Sequence, residues 1–329
     1  MIKPVLHTII LFFIVVSLKA QENLVPNPSF EEYWECPTAP GSVGDNQLER
    51  CKYWYKPTSA TSDYYNSCQT NENTGVSVPT NWFGNQLPFD GSAYVGLILF
   101  IPENLNSEYI QCKLLEPLEA CRKYLFSMRI SLSDYSSRAT NTLGVRFDKT
   151  PISSMEFVGF EQPAHIQTDN YITDTSDWTF FSGEFVANGG EEYLTIGRFV
   201  DTNLYSNSNI PFIKVTCDSC FFGHNTAYYY IDSLTLIATD YFISEKNIPN
   251  VLTANNDNIN DYWYPNNICF SDWKCTILNR WGVKVFTFEE SDLGWNGMNH
   301  NGDELSEGVY FYEIKSKSNK QTGFIQLVR

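Results

Sequence analysis

Short apolar runs, each cut off by Gly, Pro, Asn or Asp, recur along this chain and constrain it more than any other feature. They read SAYVGLILF (92–100), KYLFSMRISL (123–132), LGVRF (143–147), WTFFSGEFVA (178–187), EYLTIGRFV (192–200), AYYYIDSLTLIA (227–238), KCTILNRWGVKVFTF (274–288) and GVYFYEIKS (308–316). Many alternate apolar with polar at period two and are rich in β-branched and aromatic residues, which fit a pleated, half-buried surface. No long run repeats at the helical period. The chain is therefore expected to be all-β, folded as sandwich or barrel layers.

One boundary is visible. A strand-rich region over 22–240 closes on YYYIDSLTLIATD, a polar interruption covers 241–247, and a new unit opens at 248 and runs to 329. The first unit is large for one sandwich but within reach. The second, at about 80 residues, suits a small immunoglobulin-like β-sandwich.

Residues 1–20 read as a secretory signal peptide, with Lys3, then the apolar run Ile9 to Leu18, then the small Ala20. That run is too short for a comfortable membrane span, and no later stretch approaches one, so no transmembrane segment is expected. The net charge of −16 disfavours nucleic acid, which needs clustered Lys and Arg. An acidic coat keeps an exported protein soluble.

Nine cysteines in an exported chain read first as disulfides, and an odd count leaves at least one unpaired. Cys112–Cys121, Cys217–Cys220 and Cys269–Cys275 are plausible local pairs, while Cys36, Cys51 and Cys68 compete for one bond. Cys217–Cys220 has redox-motif spacing, but no βαβ pattern surrounds it.

Catalysis finds little support. The histidines beyond the leader, His165, His224 and His300, are scattered, and there is no G-x-S-x-G, H-E-x-x-H or phosphate loop. Carboxylates are plentiful without any pair being marked as a glycosidase dyad.

The second unit carries four motifs in order: IPNVLTANNDNIND (248–261), CTILNRWGVKVF (275–286), WNGMNHNGDELSEGVYFYEI (295–314) and GFIQLVR (323–329). This series resembles the gliding-motility-associated C-terminal domain, the type B sorting domain of type IX secretion. The resemblance rests on Asn279, Arg280, Trp281, Gly282, Trp295, Gly308 and Tyr310. It implies that the domain is an address read by the type IX secretion machinery after Sec export, giving a secreted or cell-surface, outer-membrane-associated product. Asn279 and Gly282 are expected to bracket a hairpin turn, and Trp281 and Trp295 to be core or cap residues. The family's glycine-rich opening departs here to ANNDNIND, where Asp257 and Asp261 are candidate Ca²⁺ ligands and self-bonded Asx turns are the alternative.

The stretches NLVPNPSFEEYWECP (23–37) and YYYIDSLTLI (228–237) resemble the first and last strands of galactose-binding-like jelly rolls, a class that includes many carbohydrate-binding modules. The resemblance implies a structural Ca²⁺ between Glu31, with Glu32 as alternate, and Asp232. Two carboxylates on terminal strands would repel unless something bridged them. Sugar binding would need exposed aromatic rings to stack on pyranose C–H faces; Trp82, Phe83, Trp54, Tyr64, Tyr65 and Trp178 lie near turns. Trp82 is the first choice as a platform, because PTNWFGNQ reads as a loop. With 51 aromatics (23 Phe, 20 Tyr, 8 Trp), most must be core. The expected function is an exported, non-catalytic binding protein for a polysaccharide or cell-surface glycan. A structural or adhesive component acting by protein contact is the alternative, and a hydrolase comes third.

Overall fold

The protein is described here by a computed structural model. The structure describes residues 21–42, 46–101, 107–154, 160, 162–199, 211–217, 226–242, 248–255, 257, 259–266, 268, 270, 272–316 and 320–329. The proposed leader, Cys220 and Cys269 lie outside the described residues.

In the first unit the strands are β1 (Trp54–Tyr55), β2 (Asp63–Asn66), β3 (Thr80–Asn81), β4 (Gly84–Asn85), β5 (Ala93–Phe100), β6 (Tyr109–Lys113) and β7 (Arg122–Leu132). They continue with β8 (Arg138–Thr140), β9 (Leu143–Asp148), β10 (Ile166–Gln167), β11 (Thr179–Val186), β12 (Tyr193–Arg198), β13 (Phe212–Lys214) and β14 (Ala227–Phe242). The last strand runs two residues past the expected boundary at 240. Two 3₁₀ turns, Leu48–Arg50 and Glu72–Thr74, are the helical segments among the described residues.

Two antiparallel five-stranded sheets dominate. The first has the order β1-β6-β12-β9-β10 and the second β11-β7-β14-β5-β2. Successive long strands β5, β6, β7, β9, β11, β12 and β14 alternate between the two sheets. That alternation is the winding of a jelly roll, in which each chain crossing covers the core with the opposite sheet. Period-two patterning explains the inward faces. In β7, Tyr124, Phe126, Met128 and Ile130 are buried while Leu125 is exposed. They meet Val145, Phe147, Leu194 and Ile196 from the facing sheet in one cluster. Each such side chain stabilises the sandwich by about 1.5–3 kcal/mol.

The second unit is β15 (Val251–Thr253), β16 (Lys274–Leu278), β17 (Lys284–Glu289), β18 (Gly308–Lys315) and β19 (Lys320–Val328), in the order β15-β19-β18-β16-β17. Its last strand lies inside the sheet, antiparallel to β18 and parallel to β15. One face packs Ile277, Ile314, Ile325 and Leu327 against Trp263, Trp273 and Trp295. Among the described residues this face is covered by loops and by a Trp263–Trp295 bridge. The basic Arg329 holds three of the loops, its guanidinium donating to the carbonyls of Gly297, Leu305 and Ala254.

Two of the three expected local cysteine pairs, Cys112–Cys121 and Cys269–Cys275, do not form. Cys36 and Cys68 form a disulfide 32 residues apart. Cys51, Cys112 and Cys275 are buried free thiols. Cys112 on β6 and Cys275 on β16 point into apolar cores at 0 % exposure, which removes them from the pairs Cys112–Cys121 and Cys269–Cys275. Cys121 and Cys217 each take part in a disulfide, and Cys121 packs against the apolar cluster of the second unit.

Candidate ligand-binding face

The outer face of the second sheet is the most elaborated surface of the first unit, and a bulge in β14 organises it. Asp232 pairs with Arg129 of β7, but Thr235 pairs with Ser127, so β14 holds one extra residue there. Bulges of this kind re-aim a side chain and leave the local ladder open. Ser233 takes up the turn with φ 49°.

Asp232 is thereby buried at 0 % exposure beneath the segment Leu87–Ala93. Its Oδ2 accepts the amide N–H groups of Phe89 (2.8 Å) and Asp90 (3.0 Å), and its Oδ1 accepts that of Ser233 (2.6 Å). Glu31 works on the same segment from the N-terminal side. Its Oε1 accepts the amides of Ser92 (2.7 Å) and Ala93 (3.0 Å). Ser29 donates to Asp90 at 2.9 Å. The two terminal carboxylates are thus bridged by the amides of one loop. Burial pushes the Asp232 carboxyl up to about 7 against the opposing pull of its three amide donors. No cluster of three or more metal-ligating side chains occurs among the described residues. The Glu31 and Asp232 oxygens that accept N–H groups already have the partners a calcium ion would have to share.

The loop so held carries Phe89 outward, 46 % exposed. Its ring lies 4.3 Å from the guanidinium carbon of Arg129, and the ring of Phe180 lies 4.8 Å from the same carbon. Phe180 is the direct cross-strand partner of Arg129 and is 57 % exposed. Leu87, 67 % exposed, extends this patch.

Further along the same loop, β3 and β4 form a hairpin whose two-residue turn is Trp82–Phe83. Trp82 is 44 % exposed, with one side of its indole against Gly75, where a Cβ would meet the ring at 2.4 Å. Phe83 instead turns inward and stacks on Tyr228, with centroids 3.7 Å apart. Trp178 is half-buried, packs edge-on against Tyr94, and donates its indole N–H to the Leu87 carbonyl at 2.9 Å. Trp54 and Tyr64 are core residues at 2 % and 0 % exposure, and each donates inward, to Asn27 and Phe30 carbonyls. The turn neighbourhood that suggested exposure was misleading, because both side chains occupy the inward phase of their short strands. Tyr65 is likewise buried, in the outer-face tyrosine cluster with Tyr94, Tyr228 and Tyr230.

Beneath that cluster lies a buried carboxyl pair, Asp63 and Glu108. Asp63 accepts from Gly41 N–H (2.6 Å) and Tyr228 OH (2.5 Å); Glu108 accepts from Thr61 and from Ile98 N–H (2.8 Å). Burial raises both carboxyls above their usual range, and the Glu108 charge adds to the rise at Asp63. At 3 % exposure each, they are sealed from solvent and do not line a cleft.

Sequence reasoning missed Phe89, Arg129 and Phe180. The signals were present: PFDG is turn chemistry that lifts Phe89, and period two places Arg129 and Phe180 opposite the inward Met128 and Phe181.

In the second unit the Asn279–Gly282 turn forms as expected. Asn279 Oδ1 accepts the amides of Trp281 and Val283, and Gly282 sits at φ 77°. The two tryptophans part company. Trp295 is fully buried against Tyr310, whereas Trp281 is 76 % exposed with the Arg280 guanidinium 5.1 Å from its ring. Its position at the hairpin apex, past the last inward residue of β16, takes it out of the core. Gly308 opens β18 at φ 139°, close to Arg280. Asp257 is exposed and Asp261 half-buried, and they accept within their loop from Ile259 N–H and Asn255 N–H respectively.

Residues 246–327 match the family model described as the CHU_C Type IX secretion signal domain. The second unit is therefore similar to a type IX secretion signal domain over nearly its whole length. The match does not extend to gliding motility. A search of curated proteins found no match. Among solved structures, the Stig cyclase Fisc from Fischerella sp. TAU is similar at 13% identity, covering 67% of this chain and 98% of that one, with TM-score 0.36. The CBM22-1 xylan-binding domain of Paenibacillus barcinonensis Xyn10C is similar at 12% identity over 68% and 97%, with TM-score 0.34. The K1 cleaved adhesin domain of Lys-gingipain from Porphyromonas gingivalis W83 is similar at 12% identity over 64% and 96%, with TM-score 0.29. At these scores the sandwich assignment rests on the strand order itself. No helix among the described residues is long and apolar enough to cross a membrane.

Proposed function

We propose that the chain is an exported, non-catalytic glycan-binding protein, whose first unit binds saccharide on the outer face of its second sheet and whose second unit is its type IX export signal. The observation that carries the reading is the set of exposed rings Trp82, Phe89 and Phe180, presented by the β3–β4 turn, by the loop that Asp232 and Glu31 anchor, and by β11. Aromatic rings presented on a rigid support stack on sugar C–H faces, and pre-organisation spares the ordering cost of binding.

Isothermal titration of the chain with a panel of neutral and acidic polysaccharides tests this. Binding that Trp82→Ala or Phe180→Ala weakens, with no reducing ends released, is the expected result. Release of new reducing ends would replace the binding reading with a hydrolytic one. Export is tested by deleting 248–329, which is expected to retain the product inside the cell envelope. A calcium ion at Glu31 and Asp232 belongs to the same reading. Its expected sign is a melting temperature lowered by chelator and restored by Ca²⁺.

A further inference from the structure

Arg129 is an unusual cation for so acidic a chain, which carries 38 acidic and 22 basic residues. Two phenyl rings flank its guanidinium, at 4.3 and 4.8 Å. Yet the side chain takes part in none of the ion pairs found among the described residues, where Arg50, Arg122, Arg146 and Arg329 each meet a carboxylate. Its cross-strand partner Asp232 could have neutralised it. Instead, the bulge turns Asp232 to the amides of Phe89, Asp90 and Ser233.

The consequence is a half-exposed arginine held by stacking, whose N–H donors make no hydrogen bond or ion pair among the described residues. Flanking rings fix a guanidinium without consuming its hydrogen bonds, and its fork matches a carboxylate in bidentate geometry. Resting on the glycan-binding reading above, we infer that this face takes a carboxylate-bearing saccharide. A uronic acid unit would place its carboxylate on Arg129 and its ring faces against Phe89 and Phe180. A neutral sugar would leave the guanidinium desolvated and unpaired, so the site discriminates by charge as well as by shape.

The test uses one polymer in two forms: polygalacturonate, and the same polymer fully methyl-esterified, which masks the carboxylates and keeps the backbone. The chain is expected to bind polygalacturonate about tenfold or more tightly than its methyl ester, as loss of a charged hydrogen-bonded pair implies. Arg129→Gln is expected to abolish that preference, and Arg129→Lys to restore it only in part, since an ammonium lacks the fork. Inorganic sulfate at matched ionic strength should compete poorly, because it offers no ring face. Equal affinity for both forms, or a preference that survives Arg129→Gln, would overturn the inference while leaving neutral glycan binding intact. Sulfate competition as strong as that of a monomeric uronic acid would overturn it in favour of a general anion site. Binding of neither form and of no other glycan would remove the underlying reading as well.

Discussion

Asp232→Ala tests the reasoning about the loop most sharply. The native carboxylate accepts three backbone amides in a site with no solvent exposure, two on Oδ2 and one on Oδ1. Hydrogen bonds to charged groups contribute roughly 1.5–3 kcal/mol each, and orphaned buried donors cost a similar amount. Part of that returns because removing Asp232 also removes a costly buried charge. The balance for Ala is a destabilisation of about 3 kcal/mol. Asn keeps an acceptor for Phe89 and Asp90 but turns an NH₂ toward the Ser233 amide, so its cost is about 1–1.5 kcal/mol. For a unit of this size each 1 kcal/mol moves the melting temperature by about 2–4 °C, so Ala should lower it by roughly 6–12 °C. Urea titrations followed by near-ultraviolet circular dichroism, with calorimetry, would measure both variants. Saccharide affinity should fall with stability, because Phe89 loses its anchor. If Asp232→Ala melts within about 1 °C of the parent and binds unchanged, the carboxylate does not hold the loop.

Three further expectations follow from the packing. Asp63, Glu108 and Asp232 all have carboxyl pKa values raised on folding, so the stability they contribute is full below the ordinary carboxylate range. That contribution is lost as pH rises through the folded values, which for Asp232 means by about pH 7. The first unit should therefore melt higher at pH 5 than at pH 8, and Asp63→Asn should flatten the slope; a melting point that rises toward pH 8 would contradict the buried pair. Trp54→Ala should cost about 3–5 kcal/mol by emptying core volume, whereas Trp82→Ala should cost under about 1 kcal/mol and act on binding, as parallel denaturant titrations would show. Thiol titration should find Cys51, Cys112 and Cys275 unreactive in the native chain and reactive after unfolding, because burial raises each thiol well above its usual range; rapid native labelling of any of them would contradict the core assignment.

Much of the architecture was legible because it follows from local patterning. In β7 the alternation of Tyr124, Phe126, Met128 and Ile130 with Leu125, Ser127, Arg129 and Ser131, mostly polar, specifies both a strand and its inward face. In the second unit, Asn279 and Gly282 specify their turn by their own backbone preferences, and that turn was foreseen in detail. The features that escaped depend on distant partners. Cys36 meets Cys68 across 32 residues, while Cys112, nearer to Cys121, is directed into the core by the phase of β6. Trp54 and Tyr64 lie in strands of two and four residues, too short for their phase to be read. The β14 bulge was hidden in a run that reads as one uninterrupted strand. Only the pairing with β7 shows the extra residue that aims Asp232 at the Phe89 amide.

The most direct test of the account is hydroxyl-radical footprinting of the chain with and without a bound acidic oligosaccharide, read by mass spectrometry at each aromatic residue. Trp34 and Trp281 are more open to solvent than Phe180, at 73 % and 76 % against 57 % exposure, and serve as internal controls. Protection of Trp82, Phe89 and Phe180 with Trp34 and Trp281 unchanged is the predicted result. Protection elsewhere, with those three rings left open, would contradict the assignment of the outer face as the binding surface.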